Sequence, residues 1–330
     1  MKSKDKLLQE LTAIKELIGH TPVVQLEHDR GRLFAKLEYQ NYSGSIKDRA
    51  VNEILYRGVL SGHIRSGTTI IESSSGNFAI SAALHCQRLG LRFIAVVDPN
   101  INIINLKILE IIATEVVMVR EVDETGGYLL RRIEMVRHLL KTIAGSYWTN
   151  QYENENNYKG YAGLAEEIKA AFPRLDYLFV AVSSCGTYKG LSEFLKTGFP
   201  DLAIIAIDIE GSQIFSNKKV KRYISGLGAS KKSGFIPEGT VVENVILDHK
   251  EIIDGCKALL KEHSLFVGGS SGACYAGATK YLKELQTVGD STALMIFPDK
   301  GFSYLDTIFN NEWVERTTKP QAAPQMVNSI

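Results

Sequence analysis

Cysteine is scarce in this 330-residue chain, and none of the four (Cys86, Cys185, Cys256, Cys274) forms a C-x-x-C pair. No histidine cluster completes a zinc pattern, so no metal site is expected. A disulfide framework is not expected in a chain of this size either, which points to a reducing cytoplasm. An excess of charge is also missing. Lys and Arg number 38 against 37 Asp and Glu, a formal net charge of +1. That balance gives no electrostatic case for nucleic acid or an anionic membrane surface. No apolar run approaches the ~18 residues of a membrane span. The opening MKSKDKLLQELTAIKELIG is charged throughout; it reads as an amphipathic helix and lacks the apolar core of a signal peptide. Solenoid repeats and low-complexity blocks are absent. So are a G-x-x-x-x-G-K-[ST] phosphate loop and a G-x-G-x-x-G fingerprint with its acidic partner. The tail after Arg316, TTKPQAAPQMVNSI, has the composition of a disordered end.

What the chain does contain is short, continuous apolar runs rich in β-branched residues, at 33–38, 68–73, 91–98, 115–120, 177–183, 203–208 and 293–299. Continuous rather than alternating apolarity predicts strands buried on both faces, as in parallel sheets. Stretches of helical period lie between them, at 46–60, 77–89, 101–113, 126–143, 161–171, 187–197, 250–263 and 272–286. The alternation predicts an α/β fold, with ligands beyond the carboxyl ends of the strands.

Four strand ends carry the same local chemistry, a Ser/Gly turn running into a helix: Ser43-Gly44-Ser45, Ser73 to Asn77, Ser183 to Thr187, and Gly268 to Gly272. Helix N-termini offer unpaired N–H groups and the positive end of the helix dipole, and small residues let an anion come close. Any one such loop is most simply a helix cap. Four of them indicate an anionic ligand.

The ordered set of blocks resembles the fold-type II pyridoxal-phosphate enzymes, the cysteine synthase and cystathionine β-synthase family. The blocks are GHTPVVQL (19–26), KLEYQNYSGSIKDRA (36–50), ESSSGN (72–77), VSSCGT (182–187), GGSSGA (268–273) and PDKGFSYL (298–305), covering nearly the whole chain. The resemblance implies a tryptophan synthase β-like architecture of two domains, each a mostly parallel sheet flanked by helices. Residues 1–40 and 150–330 would form the larger cofactor-binding domain, and 41–149 a smaller, mobile inserted one.

It also implies roles. Lys47 would be the Schiff-base lysine and the base at the substrate Cα. Asn77 would hydrogen-bond the cofactor's 3′-oxygen. Ser183, Ser184, Cys185, Gly186 and Thr187 would wrap its phosphate. Ser270 would face the pyridine nitrogen, with Ser271 as the alternative. Ser73, Ser74, Ser75 and Gly76 would hold the substrate carboxylate. Cys185 is read as a small loop residue rather than a reactive thiol.

Departures from the family pattern point to a branch. Ser183 stands where Gly is usual, Tyr42 replaces a Pro, and Phe78-Ala79 follow Asn77. A branch that joins O-phospho-L-serine to L-glutamate, toward L-2,3-diaminopropionate for siderophores, resembles this chain in VVDPNINIINLKIL (96–109), ETGGYLLRRI (124–133) and YWTNQYENENN (147–157). On that resemblance Tyr152 and Arg132 would meet the leaving phosphate. Arg30, Arg32, Lys231 and Lys232 are available for glutamate by composition alone, and GLGASKK (226–232) is expected at the substrate entrance. The alternatives are a cysteine synthase using sulfide, and a non-catalytic ligand-binding relative. A homodimer and small amino-acid substrates are the expected partners.

Overall fold

The computed structural model describes residues 2–124, 127–218, 220–285 and 289–318. The expected disordered tail lies almost wholly outside them, as do Gly126 and Gln286 at the ends of two predicted helices.

Among the described residues ten strands form two sheets. They are β1 (Val23–Leu26), β2 (Arg32–Lys36), β3 (Thr69–Glu72), β4 (Arg92–Val97), β5 (Glu115–Met118), β6 (Ser146–Trp148), β7 (Tyr177–Ala181), β8 (Ala203–Ile209), β9 (Asn244–Leu247) and β10 (Thr292–Ile296). The larger sheet has the order β1-β2-β10-β7-β8-β9, and the smaller β5-β4-β3-β6. Every pairing is parallel except β1 with β2. The larger sheet therefore draws strands from both ends of the chain, and the smaller uses only residues 69–148. The central strands β3 and β10 are buried along their whole length, as their continuous apolarity requires.

The helices are α1 (Lys4–Lys15), α2 (Lys47–Leu60), α3 (Asn77–Leu89), α4 (Ile103–Ile112), α5 (Leu129–Thr142), α6 (Glu155–Lys159), α7 (Ala162–Ala171), α8 (Gly186–Phe194), α9 (His249–His263), α10 (Gly269–Glu284) and α11 (Asn311–Thr318). All seven predicted strands and eight predicted helices are present, with ends shifted by a few residues. Three strands escaped the sequence reading. β6 has three residues, and β1 and β9 are four-residue edge strands with mixed exposure, too short and too polar to stand out.

Two parallel sheets point their carboxyl ends at a common cavity. From those ends run the loops into α3 and α8, while α2 and α10 begin beside them.

Candidate active site

A cavity of about 590 Å³ opens between the two sheets. The site residues implied by the resemblance line it: Lys47, Ser73, Ser74, Ser75, Gly76, Asn77, Arg132, Tyr152, Ser183, Ser184, Cys185, Gly186, Thr187 and Ser270. Ser271 does not. Its hydroxyl is buried without a partner elsewhere, so of the two serines it is Ser270 that faces the cavity.

Lys47 is the first residue of α2, and its neighbours explain its aim. The Ser45 backbone bridges Asp299, and the Ile46 N–H donates to the Pro298 carbonyl at 3.0 Å. Asp48 turns away from the cavity and accepts from the Ser43 N–H and the Ser81 hydroxyl, both at 2.6 Å. Arg49 is buried, and its guanidinium grips Glu38 and Glu167. Successive helix residues point about 100° apart, so anchoring Asp48 and Arg49 inward leaves Lys47 for the cavity. Its side chain is half-buried, and it ion-pairs with no carboxylate among the described residues.

Asn77 begins α3, and its amide donates to Asp299 Oδ2 at 2.8 Å. The Tyr304 hydroxyl donates to the same oxygen at 2.8 Å. Burial pushes the Asp299 carboxyl up; Asn77, Tyr304 and nearby Lys47 oppose this. Just before α3 the Ser73 hydroxyl is buried in the cavity wall with no partner, a donor and acceptor left for a ligand. Glu72 fixes this loop from below. Its fully buried carboxylate accepts from the Ser73 N–H at 2.8 Å and the Thr149 hydroxyl at 2.5 Å.

The loop before α8 is built to receive an anion. Cys185 is left-handed at φ +67°, which turns the chain into the helix. A side chain at Gly186 would place its Cβ 2.2 Å from the Asn157 amide oxygen, so only glycine fits. The first N–H groups of α8 have no acceptor inside the helix and sit on the cavity wall. Burial raises the Cys185 thiol to about 12, in keeping with a packing residue rather than a nucleophile. The Ser183 hydroxyl is already spent, donating to the Gly228 carbonyl at 3.0 Å. It ties the phosphate-type loop to residues 226–230, so its contribution to any ligand is through that loop.

Arg132 on α5 stands beside Asp98, with Nε 3.2 Å from Oδ2. Burial pushes the Tyr152 phenol up, while Arg132 and Arg222 pull it down. Of the four cations proposed by composition, Arg30, Arg32 and Lys232 fall elsewhere. Arg32 donates to Thr292 at the start of β10, and Arg30 donates to the carbonyls that end α10. The N-terminal ends of parallel strands face away from the ligand end, which is why both are misplaced. Lys232 pairs with Glu238 on the outside, whereas Lys231 is half-buried, pairs with Glu153 and holds its ammonium 5.3 Å from the centre of the Tyr152 ring. Arg222, Tyr304 and Asp299 were missed; only the PDKGFSYL block hinted at the last two.

Behind the cavity, Asp208 is the penultimate residue of β8. Its Oδ1 accepts from the Ile209 N–H at 2.9 Å and its Oδ2 has no partner. Burial raises this carboxyl to about 6. A pKa raised above the unfolded value of 3.8 means the folded chain takes up a proton between pH 6 and 4. Stability therefore increases as pH falls through that window, and the charge carries a cost above it. Asp208→Asn is expected to raise the stability at pH 7.5 by about 1–3 kcal/mol and to flatten the pH dependence between 4 and 6, read by denaturant titration.

The cavity thus joins an amine, a helix-terminus anion cradle, a hydroxyl and a second anion loop. That set fits a phosphorylated aldehyde cofactor beside an amino-acid substrate. Residues 14–299 match the pyridoxal-phosphate dependent enzyme family. A relative from Ralstonia nicotianae, N-(2-amino-2-carboxyethyl)-L-glutamate synthase, is 39% identical over 316 residues, covering 94% of this chain and 93% of its own. An O-acetylserine dependent cystathionine β-synthase from Helicobacter pylori superposes with a TM-score of 0.82 at 28% identity, over 89% of this chain and 97% of that one. An O-acetylserine sulfhydrylase isoform from Entamoeba histolytica gives 0.79 at 26%, over 89% and 90%.

Proposed function

The chain belongs to the pyridoxal-phosphate dependent enzymes and uses pyridoxal 5′-phosphate; from that premise we propose that it replaces the phosphate of O-phospho-L-serine with the amine of L-glutamate. The product is N-(2-amino-2-carboxyethyl)-L-glutamate. The observation that carries this reading is the near full-length likeness to the synthase of that name. Tyr152 and Arg132, both of which line the cavity, support it.

The cofactor, when bound, makes the Cα proton of an amino acid labile and lets a β-substituent depart. Lys47 anchors it and carries the Cα proton off and back. Residues 184–187 hold its phosphate at the start of α8, Asn77 its ring oxygen, and Ser270 its ring nitrogen. A neutral hydroxyl at that nitrogen favours β-elimination over transamination. The loop 73–76 binds the substrate carboxylate. Arg132 and Tyr152 receive the leaving phosphate, Arg132 as charge and Tyr152 as donor. Residues 41–149 move as the smaller unit and close on substrate, a reading supported by β3 to β6 lying wholly inside it. The enzyme works as a homodimer in the cytoplasm and feeds diaminopropionate synthesis for a siderophore. Four buried, unpaired thiols support a reducing compartment.

The test is release of inorganic phosphate from O-phospho-L-serine, followed with L-glutamate or with sulfide as acceptor. Continuous release with glutamate supports the proposal. Release only with sulfide, or turnover only from O-acetyl-L-serine, returns the chain to the cysteine synthases; no turnover leaves a binding protein. Tyr152→Phe is expected to lower kcat with phosphoserine about 10- to 100-fold, the worth of a hydrogen bond to a charged group. Turnover from O-acetyl-L-serine, where no dianion departs, falls far less.

A further inference from the structure

We infer that Arg222 is the specificity residue for the second substrate, seating the side-chain carboxylate of an acidic amino acid; this rests on the glutamate reading above. Arg222 lines the cavity and is half-buried, on the segment that follows β8. Its terminal nitrogens donate to the Ser230 hydroxyl at 2.8 Å and the Leu227 carbonyl at 3.2 Å. Both are loop partners, so the guanidinium is pre-aimed but not neutralised. It forms no ion pair within 4 Å among the described residues, unlike Arg132, which stands on Asp98. Burial pushes the Arg222 guanidinium down and Asp208 opposes this, yet that carboxyl does not come within ion-pair distance.

The loop is shaped around this side chain. Gly228 has φ +68°, and a Cβ there would lie 2.9 Å from Arg222 Nη1. Its N–H donates to the Val182 carbonyl at 2.8 Å, and its carbonyl accepts from Ser183. The position of Arg222 is therefore tied directly to the phosphate-type loop before α8.

The anions of the reaction can then be distributed. The cofactor phosphate has α8, the phosphoserine carboxylate has α3, and the leaving phosphate has Arg132 with Tyr152. Glutamate brings two further carboxylates, and Arg222 is the cavity guanidinium with no carboxylate within 4 Å among the described residues. A guanidinium with free N–H groups in a fixed fork matches a carboxylate in two-point contact.

The test compares Arg222→Met and Arg222→Lys with the parent holoenzyme. Acceptors are L-glutamate and its uncharged isostere L-glutamine, with phosphoserine varied separately. Arg222→Met is expected to raise KM for glutamate about 30- to 100-fold, as loss of a buried charge contact does. KM for phosphoserine should move less than about threefold, and the preference for glutamate over glutamine should collapse. Arg222→Lys should recover part of the glutamate KM. Equal loss for phosphoserine and glutamate, or an undiminished glutamate preference, would overturn the assignment, as would an Arg222→Met protein that no longer binds cofactor. If the parent enzyme itself does not accept glutamate, the functional reading fails and the assignment with it. A parent that accepts glutamate and an indifferent Arg222→Met sink the assignment alone.

Discussion

Lys47→Ala is expected to abolish β-replacement, lowering kcat by at least about 10³-fold, at the upper part of the range for removing a general acid–base group. The variant should fold and still take up the cofactor. The anion cradle before α8, Asn77 and Ser270 do not depend on the lysine side chain, and Lys47 holds no ion pair among the described residues whose loss would unsettle the fold. The cofactor should then wash out on dialysis, because the covalent anchor is gone. Absorbance of the protein before and after dialysis, with a steady-state assay, checks both parts. A variant retaining more than a few per cent of activity would show that another group moves the Cα proton.

Arg49→Met should have the largest effect on stability, about 3–5 kcal/mol, the cost of leaving buried charges unpaired. Glu38 is fully buried and accepts from Arg49 at 2.6 and 2.8 Å. Glu167 takes Arg49 at 2.9 Å and Lys36 at 2.6 Å, and Lys36 is itself almost fully buried. Removing the one guanidinium that spans both carboxylates leaves Glu38 without its main partner. Burial alone would raise the Glu167 carboxyl, but Arg49 and Lys36 together hold it down to about 2. A carboxyl depressed below its unfolded value of 4.5 stabilises the fold above that pH and loses the effect as pH falls toward 2. In Arg49→Met the Glu167 part of this acid loss should be smaller and complete at a higher pH. The network sits under the first turn of α2, so the variant should also lose activity beyond its loss of stability. Denaturant titration at pH 7 and at pH 4 tests the account. A shift below 1 kcal/mol at pH 7 would mean that the buried charges are hydrated or re-paired.

The same network explains why the lysine site was legible in sequence. The Ser-Gly-Ser turn, the lysine and the two anchoring residues Asp48 and Arg49 follow one another in seven residues, so local order alone placed Lys47 at a helix mouth. Ser73 to Asn77 and Ser183 to Thr187 were readable for the same reason, since an anion loop at a strand end is a local object. Arg222 was not readable. Its place depends on hydrogen bonds from Gly228 to Val182 and from Ser183 to Gly228, which no local pattern encodes. Arg30 and Arg32 misled for a related reason. Composition supplies the charge but not which end of a strand carries it. The strands β1, β6 and β9 are held by their neighbours in the sheets rather than by runs of their own.

The most direct test of the central claim is mass spectrometry of the product formed from O-phospho-L-serine and [15N]L-glutamate by the holoenzyme. The account predicts N-(2-amino-2-carboxyethyl)-L-glutamate carrying one heavy nitrogen, formed in equal amount with inorganic phosphate. Phosphate released with the heavy nitrogen still in free glutamate would contradict it.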